Sequence, residues 1–565
     1  MLVALILLLA HFTMSSLFAP NLLAQDRTQA RSMVISRRGI VATSQTLASQ
    51  AGAQILARGG NAIDAAIAAN AALTVVEPMM NGIGGDLFVI YREAKTGKIH
   101  GLNASGWAPQ KLSRDFLRKA GHYSMPQDGI HSVTVPGCVD GWEKLHKRFG
   151  RAPWGDLFRP AIYYAREGFP VTEWIGQAWQ DSRRKLAGDK NAATLFLNED
   201  GKPPELGAVF RNPQLKRALE LIARDGARAF YKGPITKSIL ATSRRLNGVF
   251  DASDFSEYGA EWVEPVSTAY RGWQVYELPP NGQGIAALSM LNLMERFPLS
   301  SFGPLSPEAF HHKIEAQKLA YADLQRYVGD PRFARIPVEE LISKPYAERR
   351  AKLIDPEKAS CAPEPGLGVA SNGDTIYMSA VDAEGNVVSL IQSIYLSFGS
   401  GIVVDDFGFH LHNRGALFTL EQDHPNQLQP RKRPFHTIIP GYMEKDGLHA
   451  GFGIMGGLNQ AQAHAQFISY VVDHGMNIQA ALEAPRFTKL NFSRCDVMVE
   501  RRVPLETQQA LRALGHDLDV QASFSSWMGG GQAVLHDSKN NVNYGASSPR
   551  KDGAAVPEPD PYFPR

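Results

Sequence analysis

The chain has 565 residues, 44% hydrophobic and 20% charged, which leaves room for a large core in two to four domains or one large α/β unit. A formal charge of +3 is too weak to imply nucleic acid or an anionic membrane as partner. The longest basic run, Arg431-Lys432-Arg433, lies between prolines and reads as a loop.

Leu2 to Ala10 is an apolar run, and Asn21-Leu22-Leu23-Ala24 offers a small residue at its end. That pattern predicts a signal peptide over residues 1–24 and export to the periplasm or beyond. No Lys or Arg precedes the run, and a start at Met33 would instead give a cytosolic protein. No later segment reaches the ~18 uninterrupted apolar residues of a membrane helix. Cys138, Cys361 and Cys495 are far apart, with neither CxxC nor metal-ligand spacing. They read as buried free thiols; one disulfide is conceivable in an oxidising compartment, with no pair favoured.

Ser44 to Ala57 carries apolar residues at helical spacing and ends at Gly59-Gly60. Asn61 can cap the next helix, Ala62 to Val76, with Asp64 suiting its positive end. That helix is Ala-rich and nearly uncharged, so it should be buried, and Glu77-Pro78 stops it. Asn81-Gly82-Ile83-Gly84-Gly85-Asp86 precedes a strand, Leu87 to Tyr91. A phosphate loop follows a strand and opens a helix, so this is read as a tight turn. Helices are predicted after Val135-Pro136-Gly137, over Leu157 to Gly168, after Asn212-Pro213, and over His311 to Leu324. Trp273 to Leu278 reads as a strand. Adjacent His311 and His312 cannot face one metal from a helix. Lys344 to Gly373 is rich in Pro, Gly and charge, the composition of a linker.

That linker ends at Asp374-Thr375, where Ile376, Tyr377 and Val381 favour a pleated surface. The turn Asp382 to Asn386 then leads to a second strand, Val387 to Ile394. If the bond before Thr375 were cut, one residue would supply both a hydroxyl nucleophile and an amine base. The plainer reading is a β-branched residue opening an edge strand. Further on, Ile402 to Phe409 is followed by His410 and His412, which would share a strand face but lack a third metal ligand. Gly453-Ile454-Met455-Gly456-Gly457 follows an apolar strand and opens a helix containing Gln460, Gln462 and His464. Successive glycines there can present bare backbone N–H groups to an oxyanion.

These segments together resemble the γ-glutamyltransferase (glutathione hydrolase) family of N-terminal-nucleophile hydrolases, from about Ile40 to Gly553. The motifs run in order: Gly59-Gly60-Asn61-Ala62-Ile63-Asp64, Gly82-Ile83-Gly84-Gly85, Val135-Pro136-Gly137, Tyr270-Arg271-Gly272, Asp374-Thr375, Phe398-Gly399-Ser400-Gly401, Lys432-Arg433-Pro434, Gly456-Gly457, and Gly545-Ala546-Ser547-Ser548-Pro549-Arg550. The resemblance implies an α+β, four-layer αββα fold without metal or other cofactor. It also implies a proenzyme cut between Asp374 and Thr375 into a large chain, residues 25–374, and a small chain, 375–565. Thr375 would be the nucleophile, Ser393 its hydroxyl partner, and Gly456 and Gly457 the oxyanion donors.

Substrate recognition departs from the family pattern. Ser105 stands near where an arginine would hold a glutamate α-carboxylate. His436-Thr437 replaces a serine pair, and Tyr395, Arg414 and Leu417 replace residues that hold the α-amino group. Like charges repel, so Arg414 disfavours an ammonium. The segment after Leu417 is short, without an evident lid, which favours hydrolysis over transfer. Together with His412-Asn413-Arg414-Gly415, the oxyanion motif is similar to a hydrolase-leaning branch that includes oxamate amidohydrolases. The expectation is therefore an amidohydrolase acting on a small-molecule amide, with Ser105, Tyr395, Asn413, Arg414, His436 and Thr437 lining its site. A true γ-glutamyltransferase or glutathione hydrolase acting on glutathione and γ-glutamyl compounds, or an exported binding protein on an inactive scaffold, are the alternatives.

Overall fold

Two seven-stranded antiparallel sheets lie face to face, each backed by helices, in the four layers αββα. The computed structural model describes residues 29–361, 374–490 and 494–562. The expected leader and residues 362–373 lie outside them. Among the described residues no helix is long and apolar enough to cross a membrane.

One sheet runs in the order Val34–Ser36, Val542–Ser547, Gly531–Asp537, Leu448–Ile454, Gly441–Lys445, Trp273–Glu277, Val266–Tyr270. The other runs Ala554–Pro557, Ile40–Thr43, Asp374–Val381, Val387–Tyr395, Asp86–Arg92, Ile99–Ala104, Glu261–Val263. The strand that carries Thr375 is thus an inner one, unlike the edge strand of the plainer reading. Residues on both sides of the expected cut share each sheet: Tyr442 to Glu444 pair with Gln274 to Tyr276 in the first, and Ser379 to Val381 with Ile40 to Ala42 in the second.

Alternation along the inner strand explains the layering. Ile376, Met378 and Ala380 join a core formed with the helix Ala62–Val76, whereas Tyr377 and Val381 pack between the sheets against Tyr442 and Val534. All fifteen residues of Ala62–Val76 are buried, as its composition implies. Asn61 and Asp64 form a reciprocal capping box, and the buried Asp64 carboxylate also accepts from the Arg151 and Ala152 N–H groups, each at 2.9 Å. The opposite outer layer consists of Gly284–Met294, Pro307–Tyr327 and Asn459–Val472.

Three local expectations change. Lys344–Ala351 is a helix capped by Ser343, so the linker composition begins with ordered structure. Ile402 to Phe409 forms only a bridge between Val403 and His410, and the two histidines diverge. His410 packs against Phe196 and Phe398, while His412 Nε2 lies 2.9 Å from the Thr134 carbonyl. Cys361 and Cys495 are disulfide-bonded rather than free; only Cys138 keeps a buried thiol. Their 134-residue separation hid the pairing, which depends on tertiary contacts.

Candidate active site

The first strand after the linker meets its neighbour at a bulge. Asp374 pairs with Tyr395 and Ile376 with Gln392, so Ser393 and Ile394 together oppose Thr375. This irregularity brings the Thr375 hydroxyl to 3.3 Å from the Ser393 hydroxyl, to which it donates. The Tyr395 N–H donates to the same Ser393 oxygen at 2.8 Å. From the opposite sheet's helix, Gln460 Nε2 lies 3.4 Å from Thr375 Oγ1. Ile439 N–H donates to the Gln460 amide oxygen at 3.0 Å, which fixes the amide so that its nitrogen faces the threonine. Gly84 and Gly85 let this arrangement close: a Cβ on Gly85 would fall 2.5 Å from the Ser393 carbonyl oxygen, and one on Gly84 2.1 Å from that of His410.

The turn Met455-Gly456-Gly457 is held by its carbonyls. Asn459 takes two of them: its side-chain amide donates to Met455 O at 2.9 Å and its backbone N–H to Gly456 O at 3.0 Å. Gln283 donates to Gly457 O at 2.7 Å and Tyr321 to Leu458 O at 2.5 Å. In a trans peptide the N–H points opposite to the C=O. Anchoring the Met455 and Gly456 carbonyls therefore turns the Gly456 and Gly457 N–H groups the other way, and among the described residues neither has an acceptor. The left-handed φ values, 114° at Gly456 and 60° at Gly457, explain why both are glycine.

Arg414 is fully buried in a short 3₁₀ turn. Its Nη1 donates to Thr437 Oγ1 at 2.7 Å, and its guanidinium lies 4.8 Å from the centre of the Tyr395 ring. Nε and Nη2 have no partner among the described residues. Burial lowers this group to about 10, so it stays charged at neutral pH. A buried cation with two unused donors is unstable unless an anion completes it.

The remaining sequence candidates are placed differently from the simplest expectation. His436 is turned to Asp86, Nε2 to Oδ2 2.8 Å, and its pKa lies well below the ordinary value because of burial and the nearby Arg414. It is a neutral residue bound to a carboxyl and adds no positive charge beside Arg414. Asp86 also accepts from Gly106 N–H at 3.1 Å, and burial raises it to about 7. Ser105 Oγ donates to the Asn103 side chain at 2.7 Å, close to Asn281 in the same buried polar group. Asn413 bridges backbone, donating to Gln127 O and accepting from Leu396 N–H, so its amide shapes the loop. Sequence reading missed Asp86, Gln283, Tyr321 and Asn459; the only cue was that Asp86 follows the Gly84-Gly85 turn and Asn459 follows Gly456-Gly457.

Beside this group lies a cavity of about 210 Å³, lined by Tyr395, Leu417, Phe418, Tyr321, Leu458 and Asn426 among others. The short segment after Leu417 supplies one wall. Thr375 itself is 1% exposed in the uncut chain. Elsewhere His311, Glu315 and His516 converge to within 4.8 Å. Glu315 already holds Lys318 at 2.6 Å, and His311 bonds His516 and the Asp355 carbonyl, so Glu315 and His311 are engaged within the protein, while His516 Nδ1 has no partner among the described residues. His312 instead meets the Glu308 carbonyl at 2.7 Å, confirming that the two histidines diverge.

The family described as Gamma-glutamyltranspeptidase matches residues 48–558. The chain belongs to the gamma-glutamyltranspeptidase family. Within it, the chain is 37% identical over 533 residues to the glutathione hydrolase-like YwrD proenzyme of Bacillus subtilis (strain 168), covering 93% of this chain and 99% of that protein. It is 33% identical to the oxamate amidohydrolase proenzyme of Klebsiella pneumoniae, covering 92% and 99%. The crystal structure of cephalosporin acylase from Bacillus halodurans superposes with a TM-score of 0.88 at 39% identity, covering 96% of this chain and 99% of that one. The four layers are those of the N-terminal-nucleophile hydrolases, and gamma-glutamyltranspeptidase membership makes this chain an amide-hydrolysing enzyme.

Proposed function

We propose that the chain is an autoprocessed N-terminal-threonine amidohydrolase whose acyl specificity has moved away from γ-glutamyl. Cleavage between Asp374 and Thr375 frees an amine beside the Thr375 hydroxyl. The hydroxyl attacks the substrate amide carbonyl while the amine takes its proton and passes it to the departing nitrogen. Gly456 and Gly457 N–H groups stabilise the oxyanion, and water then releases the acyl group as a carboxylic acid. Gln460 and Ser393 hold the hydroxyl in place.

The observation that carries this reading is the placement of Thr375 against Ser393 and against Gln460, whose helix opens at the Gly456-Gly457 turn where, among the described residues, neither N–H has an acceptor. Arg414, whose Nε and Nη2 have no partner among the described residues, supports an acyl group bearing a carboxylate. A second reading, hydrolysis of glutathione, is favoured by the name of the Bacillus subtilis relative. Export also belongs to this proposal, supported by the disulfide, since such bonds persist in oxidising compartments.

A denaturing gel under reducing conditions, with N-terminal sequencing of the small fragment, tests the core of it. The expected fragment begins Thr-Ile-Tyr-Met; an active protein that stays one chain would refute the assignment.

A further inference from the structure

The disulfide joins residues on opposite sides of the proposed cut. Cys361 precedes Thr375 and Cys495 follows it, with Cα atoms 4.5 Å apart. Both halves are seated by the surrounding fold. Ala359 N–H donates to Leu514 O at 2.7 Å, and Asp517 N–H to Cys495 O at 3.0 Å. Ser360 is fastened to the long helix Pro307–Tyr327: its N–H donates to the Glu315 carboxylate at 3.3 Å, and Lys318 donates to its carbonyl at 2.7 Å. The buried Glu315–Lys318 pair, which has no role in the chemistry above, thus positions the segment that carries Cys361.

We infer that the mature enzyme is a covalent heterodimer, with Cys361 of the large chain bonded to Cys495 of the small one. This rests on the proposed cleavage, because without it the bond is internal to one chain. The bond forms by thiol–disulfide exchange. One cysteine thiolate attacks a donor disulfide, the second displaces the donor, and two electrons and two protons leave on the donor as its dithiol. Cleavage removes the peptide connection between the halves and the disulfide replaces it. An unfolded molecule then remains a single species, and its refolding does not depend on reassociation.

The full chain, produced with its own N-terminal segment and alkylated with N-ethylmaleimide before denaturation, is run with and without dithiothreitol. The expected result is one full-mass band without reductant. With reductant, two bands of roughly two-thirds and one-third of the mass should appear. Thiol titration of the denatured, unreduced protein should find Cys138 alone. Two bands without reductant overturn the inference. One band in both lanes refutes the cleavage and the heterodimer together, while the thiol count separately reports whether the disulfide exists. Cys361→Ser should still process, keep activity within about twofold since it lies outside the site, and run as two bands without reductant. The same single band from Cys361→Ser without reductant would mean that the chains are joined elsewhere, and would also overturn the inference.

Discussion

Thr375 and Ser393 face each other across a bulge, hydroxyl to hydroxyl at 3.3 Å, on neighbouring inner strands. The pairing is local to the sheet, yet each hydroxyl is also tied elsewhere: Thr375 to Gln460 across the sandwich, and Ser393 to the Tyr395 N–H. The threonine is thereby oriented before any substrate arrives.

Thr375→Ala is expected to give a folded, full-length, inactive chain, because it removes the atom that the proposed processing and turnover both use. Ser393→Ala should still cut, more slowly, with kcat reduced about tenfold, the scale of one hydrogen bond worth ~1–1.5 kcal/mol. Reducing gels over time and steady-state kinetics check both. Wild-type processing by Thr375→Ala would remove this residue from the mechanism.

The proposed oxyanion turn makes a separate demand. Asn459→Ala frees the Met455 carbonyl, so the Gly456 N–H loses its fixed direction while the helix beyond is retained. A misdirected donor should lower kcat by roughly a hundredfold with KM little changed, since each such donor supplies a few kcal/mol only in the transition state. Gly457→Val should do at least as much, through strain at its left-handed φ of 60°. Melting temperatures separate loss of geometry from loss of fold. Wild-type kcat in a folded Asn459→Ala would exclude the turn from the site.

Local grammar made much of this architecture legible. The cap at Asn61 and Asp64, the uniformly buried Ala62–Val76 and the strand beginning at Thr375 follow from neighbours within a few residues. What could not be read depends on partners far along the chain. The sequence put His436 with Arg414 among the lining residues, but its partner is Asp86, 350 residues away, and burial with Arg414 nearby keeps it neutral. Gln460 was visible only as a helix residue, because its orientation is set by Ile439 across the turn. The cysteine pair was likewise undetermined until the fold brought Cys361 and Cys495 together.

Asp86 gives the site a pH dependence with a definite sign. Its carboxyl faces Arg414 and Arg433 as charges, His412 and His436 as neutral rings, and the Gly106 N–H; burial outweighs these and lifts it from 3.8 to about 7. Below about 7 it is neutral and the Arg414 charge is uncompensated; above, its negative charge opposes an incoming anion. KM for an anionic acyl substrate should therefore rise as pH passes upward through about 7, and Asp86→Asn should flatten that rise. For stability, the native state keeps a proton between 3.8 and about 7 that the unfolded chain has lost, so this group's contribution falls as pH rises through that window. KM profiles for anionic and neutral amides decide the matter: an equal rise for both would assign the effect to another group.

The proposed specificity rests on what Arg414 lacks. Thr437 satisfies one of its nitrogens and the Tyr395 ring covers a face, while Nε and Nη2, in a fully buried position, have no partner among the described residues. An ammonium placed there would meet a like charge, and Leu417 offers it no acceptor. A carboxylate would take the unused donors in a charge-assisted pair. Ser105, bonded to Asn103, supplies no second cation for a glutamate α-carboxylate. The expected ranking is therefore a small acyl group carrying a carboxylate and no ammonium first, with γ-glutamyl compounds poor. Arg414→Gln should raise KM for the anionic substrate roughly tenfold to a hundredfold, the range for a charge-assisted hydrogen bond of ~1.5–3 kcal/mol, and leave neutral amides nearly unchanged. Steady-state kinetics on oxamate, an acyl-side-chain amide, glutathione and γ-glutamyl-anilide would order the candidates. Efficient glutathione hydrolysis, unaffected by Arg414→Gln, would show that the γ-glutamyl group is held elsewhere and that this arginine serves the fold.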